Sequence, residues 1–170
     1  KKVKGIIGMT FLDQRDQQVR DETTKNIFWG KLGVPLSGLS SNIGLSRFKM
    51  KMTICSKMNA LCNDKNALKI LIKDKTSGGN SVPLKFIYTY MTYAPDIEPE
   101  DFNICPILLT QPNEDRWTPL YLSTPFLNKI KKVPVKIVEL ENGSHYPIEE
   151  PALDQLHSNI LNFINKYLNK

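Results

Sequence analysis

Apolar residues follow two rhythms in this chain, and the change falls near residue 100. Beyond it, Ile104-Cys105-Pro106-Ile107-Leu108-Leu109 is an unbroken apolar run, the pattern of a parallel strand buried on both faces. A second strand is predicted at Val135-Lys136-Ile137-Val138-Glu139-Leu140, with Asn142-Gly143 turning the chain after it. Between the two, Thr118 has the chemistry of a helix N-cap and Pro119 that of a first helical residue, which predicts a helix to about Lys131. Pro151 opens a last helix, whose Leu153, Leu156, Ile160, Ile164 and Tyr167 share one stripe with Leu161 and Leu168 beside it. Strand, helix and strand of these lengths form one βαβ unit with parallel strands.

Before residue 100 the rhythm is shorter and more broken. Residues 3–12, Val-Lys-Gly-Ile-Ile-Gly-Met-Thr-Phe-Leu, predict a buried strand ending near Asp13, with glycines that suit close backbone packing. Asp21 to Trp29 is predicted helical, ended by Gly30 and Gly33. From Leu45 to Leu61, Phe48, Met52, Ile54, Cys55, Met58 and Leu61 recur at helical spacing. A short helix at Asn66 to Ile72 is broken by Ser77-Gly78-Gly79-Asn80-Ser81, and Val82 to Thr92 places Leu84, Ile87, Tyr88 and Met91 on one face. Met50, Met52 and Met58 read as gap-filling core, with an adaptable apolar lid as the functional alternative. The chain therefore divides into a core strand at 1–13, a mainly helical insertion at 14–100 and a C-terminal core at 101–170, an α/β arrangement without internal repeats.

Composition narrows the class. A chain of 170 residues with 41% hydrophobic and 24% charged content is ordinary for a soluble globular protein. No apolar run approaches the ~18 to 20 residues of a membrane span, so no membrane is expected as a partner. Lys1, Lys2 and Lys4 precede too short an apolar stretch for a signal peptide. Cys55, Cys62 and Cys105 are odd in number and lack metal-ligand spacing, which predicts free thiols, a cytoplasmic location and no metal. The net charge of +6 is uneven, +7 over residues 1–100 and −1 over 101–170. Its lysines are scattered rather than clustered with aromatics, which predicts a solvated basic face and no nucleic-acid partner.

Two residues carry the candidate chemistry. Asp115 lies in Pro112-Asn113-Glu114-Asp115-Arg116-Trp117-Thr118-Pro119, after the first strand of the C-terminal core. His145 lies in Gly143-Ser144-His145-Tyr146-Pro147, after the second. Neighbouring parallel strands are about 4.8 Å apart and end at the same sheet edge, so the two loops meet there. Ligands in open α/β sheets bind at that carboxyl edge. A histidine can move a proton near neutral pH, and a carboxylate on its other nitrogen fixes its tautomer and stabilises its cation. Taken singly, a loop histidine caps backbone and a loop aspartate makes a turn; the paired layout points to acid–base work instead. Glu149 and Glu150 suit the positive end of the helix that follows, His157 falls mid-helix and exposed, and Trp117 is expected to pack under the acid loop, with lining of the pocket as the alternative.

The strand Pro106-Ile107-Leu108-Leu109, the segment Asp115-Arg116-Trp117-Thr118-Pro119 and the run from Val138 to Pro151 together resemble the C-terminal half of an α/β-hydrolase-fold enzyme. His145-Tyr146-Pro147-Ile148-Glu149-Glu150-Pro151 is the most specific of these stretches. The resemblance implies that residues 3–13 are the strand before the lid and residues 14–100 the lid itself. It implies Asp115 as triad acid and His145 as triad base. Asp13 is the alternative acid, because some members place it at the end of the strand before the lid. Family order is nucleophile, acid, histidine, so the Gly-x-Ser-x-Gly elbow is expected before residue 1 and no nucleophile in this chain. Gly44-Leu45-Ser46-Arg47-Phe48 and Gly38-Leu39-Ser40-Ser41-Asn42 both lack the final glycine and lie in the lid, and Gly143-Ser144-His145 is the histidine loop itself.

The implied activity is that of the C-terminal portion of a serine-type hydrolase acting on an ester, thioester or similar bond of a small apolar substrate. Epoxide or halide hydrolysis lies within the same family's range. No cofactor or metal is implied. The implied partners are the substrate and the N-terminal half of the same protein, without which the chain is expected to be inactive. The alternatives are a non-catalytic binding or scaffold protein of the same fold, and a fragment without a function of its own. An open apolar edge on the strand at residues 3–10 implies self-association.

Overall fold

A computed structural model of the chain describes residues 3–42 and 44–168. In chain order its elements are β1 (Ile6–Gly8), α1 (Gln17–Thr23), α2 (Ile27–Asn42), β2 (Lys49–Lys51), α3 (Met52–Cys55), α4 (Lys65–Lys73), β3 (Ser81–Pro83), α5 (Leu84–Thr92), β4 (Ile107–Pro112), α6 (Leu120–Leu127), β5 (Val135–Leu140) and α7 (Ala152–Leu168). Single 3-10 turns stand at Met58–Ala60 and Pro99–Asp101. The chain divides into two compact units, residues 1–12 with 95–170, and residues 13–94. No described helix is long and apolar enough to cross a membrane.

The first unit is built on a parallel sheet in the order β1-β4-β5. β4 lies in the middle and all six of its residues are buried, as a strand covered on both faces requires. Ile107 and Leu109 enter a core with Leu127 and Ile130, against which Ile6, Phe11, Phe102 and Phe126 pack. Leu108, wholly buried, points to the opposite face. There α7 packs along β4 and β5, and a side chain on Gly5 would run into the ring of Phe163.

The strand expected over residues 3–12 is only Ile6–Gly8. Past Gly8 the chain is drawn off the ladder, because the Phe11 amide donates to Ser123 Oγ (3.0 Å) on α6. The strand expected at 104–109 begins at Ile107 and continues to Pro112. Pro106 has no amide to offer the ladder, and its carbonyl accepts from the Ile6 amide (3.0 Å). The helix expected from Pro119 to Lys131 is Leu120–Leu127, with Pro125 inside its last turn. Thr118 does not cap it; its hydroxyl turns elsewhere.

The second unit, residues 13–94, packs α2 against α1 and α5 and carries a two-stranded antiparallel ribbon, with Met50 opposite Val82. The helix expected from Leu45 to Leu61 is instead β2, α3 and a 3-10 turn. Strand pairing overrides its local periodicity: Met52 donates to the Asn80 carbonyl (2.9 Å) and Leu84 to that of Phe48 (2.9 Å). Gly30 and Gly33, expected to end a helix, lie inside α2. A side chain on Gly30 would run into Asp21, and one on Gly38 would lie 3.0 Å from the Tyr88 ring. The small face of α2 (Gly30, Gly33 and Ser37) is thus buried, and the large apolar residues Ile27, Phe28, Leu32, Leu36 and Leu39 are exposed.

Candidate active site

The acid loop begins where β4 ends. Pro112 closes the strand, and the chain turns so that the Asp115 amide points to the Pro112 carbonyl (3.4 Å). Asp115 Oδ1 accepts from the amides of Trp117 (2.8 Å) and Thr118 (2.9 Å), the local pattern by which an aspartate closes a turn on itself. Its other oxygen, Oδ2, accepts from Thr118 Oγ1 (2.8 Å) and faces His145 Nδ1 (2.9 Å). Thr118 Oγ1 also lies 3.1 Å from His145 Nδ1.

The histidine loop begins where β5 ends. Asn142 adopts a positive φ of 59°, a conformation asparagine tolerates better than most residues. Gly143 is buried, and a Cβ there would meet those of Ala152 (3.0 Å) and Pro112 (3.1 Å). Two backbone bonds join the loops: the Asn113 amide donates to Leu140 (3.0 Å), and the Glu114 amide to Gly143 (3.0 Å). The parallel register continues to Pro112 opposite Leu140, so both loops leave the sheet at the same level.

Burial makes the pair electrostatically tight. The Asp115 side chain is 1% exposed and that of His145 12%. Burial acts to raise the Asp115 carboxyl, but hydrogen bonds and charge from His145, with further bonds from Thr118, outweigh it and hold the group below the ordinary carboxylate range. Asp115 is therefore ionised at neutral pH. An ionised carboxylate only accepts, so the nitrogen facing it carries the hydrogen. In the neutral imidazole Nε2 then keeps its lone pair, as a general base requires. The imidazole has two aromatic rings beside it, Trp117 at 4.7 Å and Tyr146 at 5.3 Å between centroids.

The structure also places residues whose part the sequence left open. Glu149, expected at a helix start, turns back into the histidine loop and accepts from the Ser144 amide (3.1 Å), Ser144 Oγ (3.0 Å) and the Ile148 amide (3.1 Å). Burial acts to raise its carboxyl, but the bonds from Ser144, from its own amide and from Ile148 prevail and lower it. Glu150 keeps the helix-start role, with Oε2 accepting from the Asp154 amide (3.4 Å). Asp13, the alternative acid, is in a bidentate ion pair with Arg15 (2.7 Å), within the other unit. His157 is exposed on α7. Gly38 to Asn42 form the last turns of α2, and Gly44 lies in a turn, so neither is a strand-to-helix elbow. Among the described residues, no side chain is hydrogen-bonded to His145 Nε2, and no group of three or more His, Cys, Asp or Glu could hold a metal ion. Thr118 and Glu149 are the site residues that sequence reasoning did not assign. The signal for the first is a hydroxyl three residues after an acid, and for the second an acid four residues after the histidine.

No family model and no curated protein sequence matches the chain. Solved structures do. One is a soluble variant of monoglyceride lipase from Saccharomyces cerevisiae in complex with a substrate analog, with a TM-score of 0.62 and 11% identity, over 82% of this chain and 50% of that one. Another is the monoacylglycerol lipase of Paleococcus ferrophilus, with a TM-score of 0.65 and 17% identity, over 96% of this chain and 59% of that one. The chain thus spans between half and three fifths of these two structures. These likenesses, together with a parallel sheet flanked by helices, show that the chain has an α/β-hydrolase fold.

Proposed function

We propose that Asp115 and His145 are the acid and base of a serine-type hydrolase whose nucleophile lies in a segment outside these 170 residues. The carrying observation is the 2.9 Å contact between Asp115 Oδ2 and His145 Nδ1, which leaves Nε2 for a partner. In the reaction, His145 Nε2 takes the proton of the attacking hydroxyl and returns it to the leaving group, while Asp115 holds the imidazole and stabilises its cation. The substrate class is an ester, thioester or similar acyl bond on a small apolar molecule. Two structural neighbours are lipases of monoglycerides and monoacylglycerols, which supports that class. Residues 14–100 would be the lid of such an enzyme.

In the full-length protein, His145→Ala is expected to lower turnover of a chromogenic ester by a factor on the order of a million, the cost of losing a triad base in a known serine hydrolase. Wild-type turnover in that variant sinks the assignment. A binding protein that keeps the pair without a nucleophile is the second reading. A fluorophosphonate probe separates the two: it labels a full-length hydrolase and leaves a binding protein unmarked.

A further inference from the structure

The histidine loop closes on a single atom. Glu149 Oε2 accepts from the Ser144 amide, Ser144 Oγ and the Ile148 amide, all at 3.0 to 3.1 Å. Ser144 Oγ also lies 3.0 Å from the Tyr146 carbonyl, a second acceptor for its one hydrogen, and the Ser144 and Ile148 amides bring donors from both sides of His145 to the carboxylate. Ser144 is wholly buried, and its amide has no water to turn to if the carboxylate is removed. Glu149 Oε2 faces the loop, whereas Glu150 Oε2 faces the helix start.

We infer that Glu149 is a positioning residue for His145, acting through Ser144: its carboxylate sets the backbone immediately before the histidine and so the distance from Nδ1 to Asp115. The inference rests on the acid–base reading of the pair. Its chemical weight follows from the tolerance of such pairs, since a misplacement of about 1 Å costs roughly a hundredfold in rate. A carboxylate suits the task because one ionised oxygen can accept three donors, and each such bond is stronger than a neutral one. Glutamine at the same position offers a neutral oxygen and a nitrogen that can only donate, so it can replace part of the clamp.

The test is proton NMR of the 170-residue chain, following the hydrogen shared between His145 Nδ1 and Asp115. The chain has two histidines, and His157→Gln identifies the other ring. The wild-type chain is expected to show this slowly exchanging downfield proton, and Asp115→Asn to lose it. Glu149→Ala is expected to lose it as well while retaining the wild-type circular dichroism, with Glu149→Gln and Ser144→Ala weakening it in turn. If Glu149→Ala fails to fold, the two milder variants decide: an undiminished downfield proton in both overturns the inference. An undiminished proton in a folded Glu149→Ala chain overturns it too, as does a wild-type chain that never shows one. Failure of the hydrolase reading is separate, because it is read from ester turnover and leaves the proton spectrum as it is.

Discussion

Thr118 gives its hydroxyl to Asp115 instead of to the helix that follows, and so adds to the larger effects of His145 and the Thr118 amide that keep the acid ionised. With two amides, one hydroxyl and one imidazole around it, the carboxylate has four partners in a setting almost closed to water. Thr118→Val removes one charge-assisted bond and is expected to cost about 1.5–3 kcal/mol, measured by urea unfolding. Asp115→Asn in the full-length protein should lower turnover by about 10⁴-fold, since an amide can hold the wrong tautomer. Asp115 and Glu149 both have lowered carboxyl pKa values, so the folded chain binds fewer protons than the unfolded one. Their stabilisation is complete above the unfolded carboxylate range and is lost as pH falls through and below about 4. The urea midpoint should therefore be unaffected by these groups from pH 7 to about 5 and fall below about pH 4, with a shallower fall in Asp115→Asn/Glu149→Gln. An equal fall in that variant would contradict the assignment. The meeting of Asp115 and His145 is legible in the sequence, because each follows a strand of one βαβ unit. The turn of Thr118 is not: a hydroxyl before Pro119 has two good local partners, the helix start and the carboxylate, and local sequence does not choose between them.

Helix α2 inverts the usual rule for amphipathic packing. Its glycines and Ser37 face its neighbours, while Phe28, Leu32, Leu36 and Leu39 stand out to solvent. Mutational sensitivity should be inverted as well. Leu32→Glu and Leu36→Glu are expected to change stability by no more than about 0.5 kcal/mol, and Gly30→Leu to cost about 1–3 kcal/mol by forcing Asp21 away. Urea titration of the three variants checks this, and a costly Leu32→Glu would mean that the outward face is covered. The same inversion explains why the sequence misleads here. Gly30 and Gly33 look like helix stops because glycine disfavours helices, yet close approach of α1 and α5 needs a position without a side chain. Elements with one strong local rhythm, such as β5 and α7, are found close to their expected bounds. The region from Leu45 to Leu61 differs because its pairing partners lie thirty residues further on, at Ser81–Pro83.

At the scale of the molecule, β1 pairs with β4 on one side, and among the described residues no strand pairs with it on the other. Such an edge is a template for another chain. The chain alone is expected to self-associate in light scattering, and Ile7→Lys, at a partly exposed edge position, should reduce it. A clean monomer in the wild-type chain would rule this out. The fold class was legible because the apolar run at residues 104–109 and the helix stripe at 151–168 are both sustained patterns; the extent of β1 was not, since the capture of Phe11 by Ser123 joins residues 112 positions apart.

The two backbone bonds between the acid and histidine loops have a consequence for inheritance. Asp115, Thr118, Ser144, His145 and Glu149, with the strands that carry them, belong to one uninterrupted stretch from Ile107 to Glu149. A genetic exchange that cuts the chain between residues 95 and 106 transfers acid, base and their supports as one cassette. A cut between Thr118 and Ser144 separates a carboxylate shaped for an imidazole from the imidazole itself. Chimeras made at the first boundary should keep the acid–histidine pair, and those made at the second should have to rebuild it.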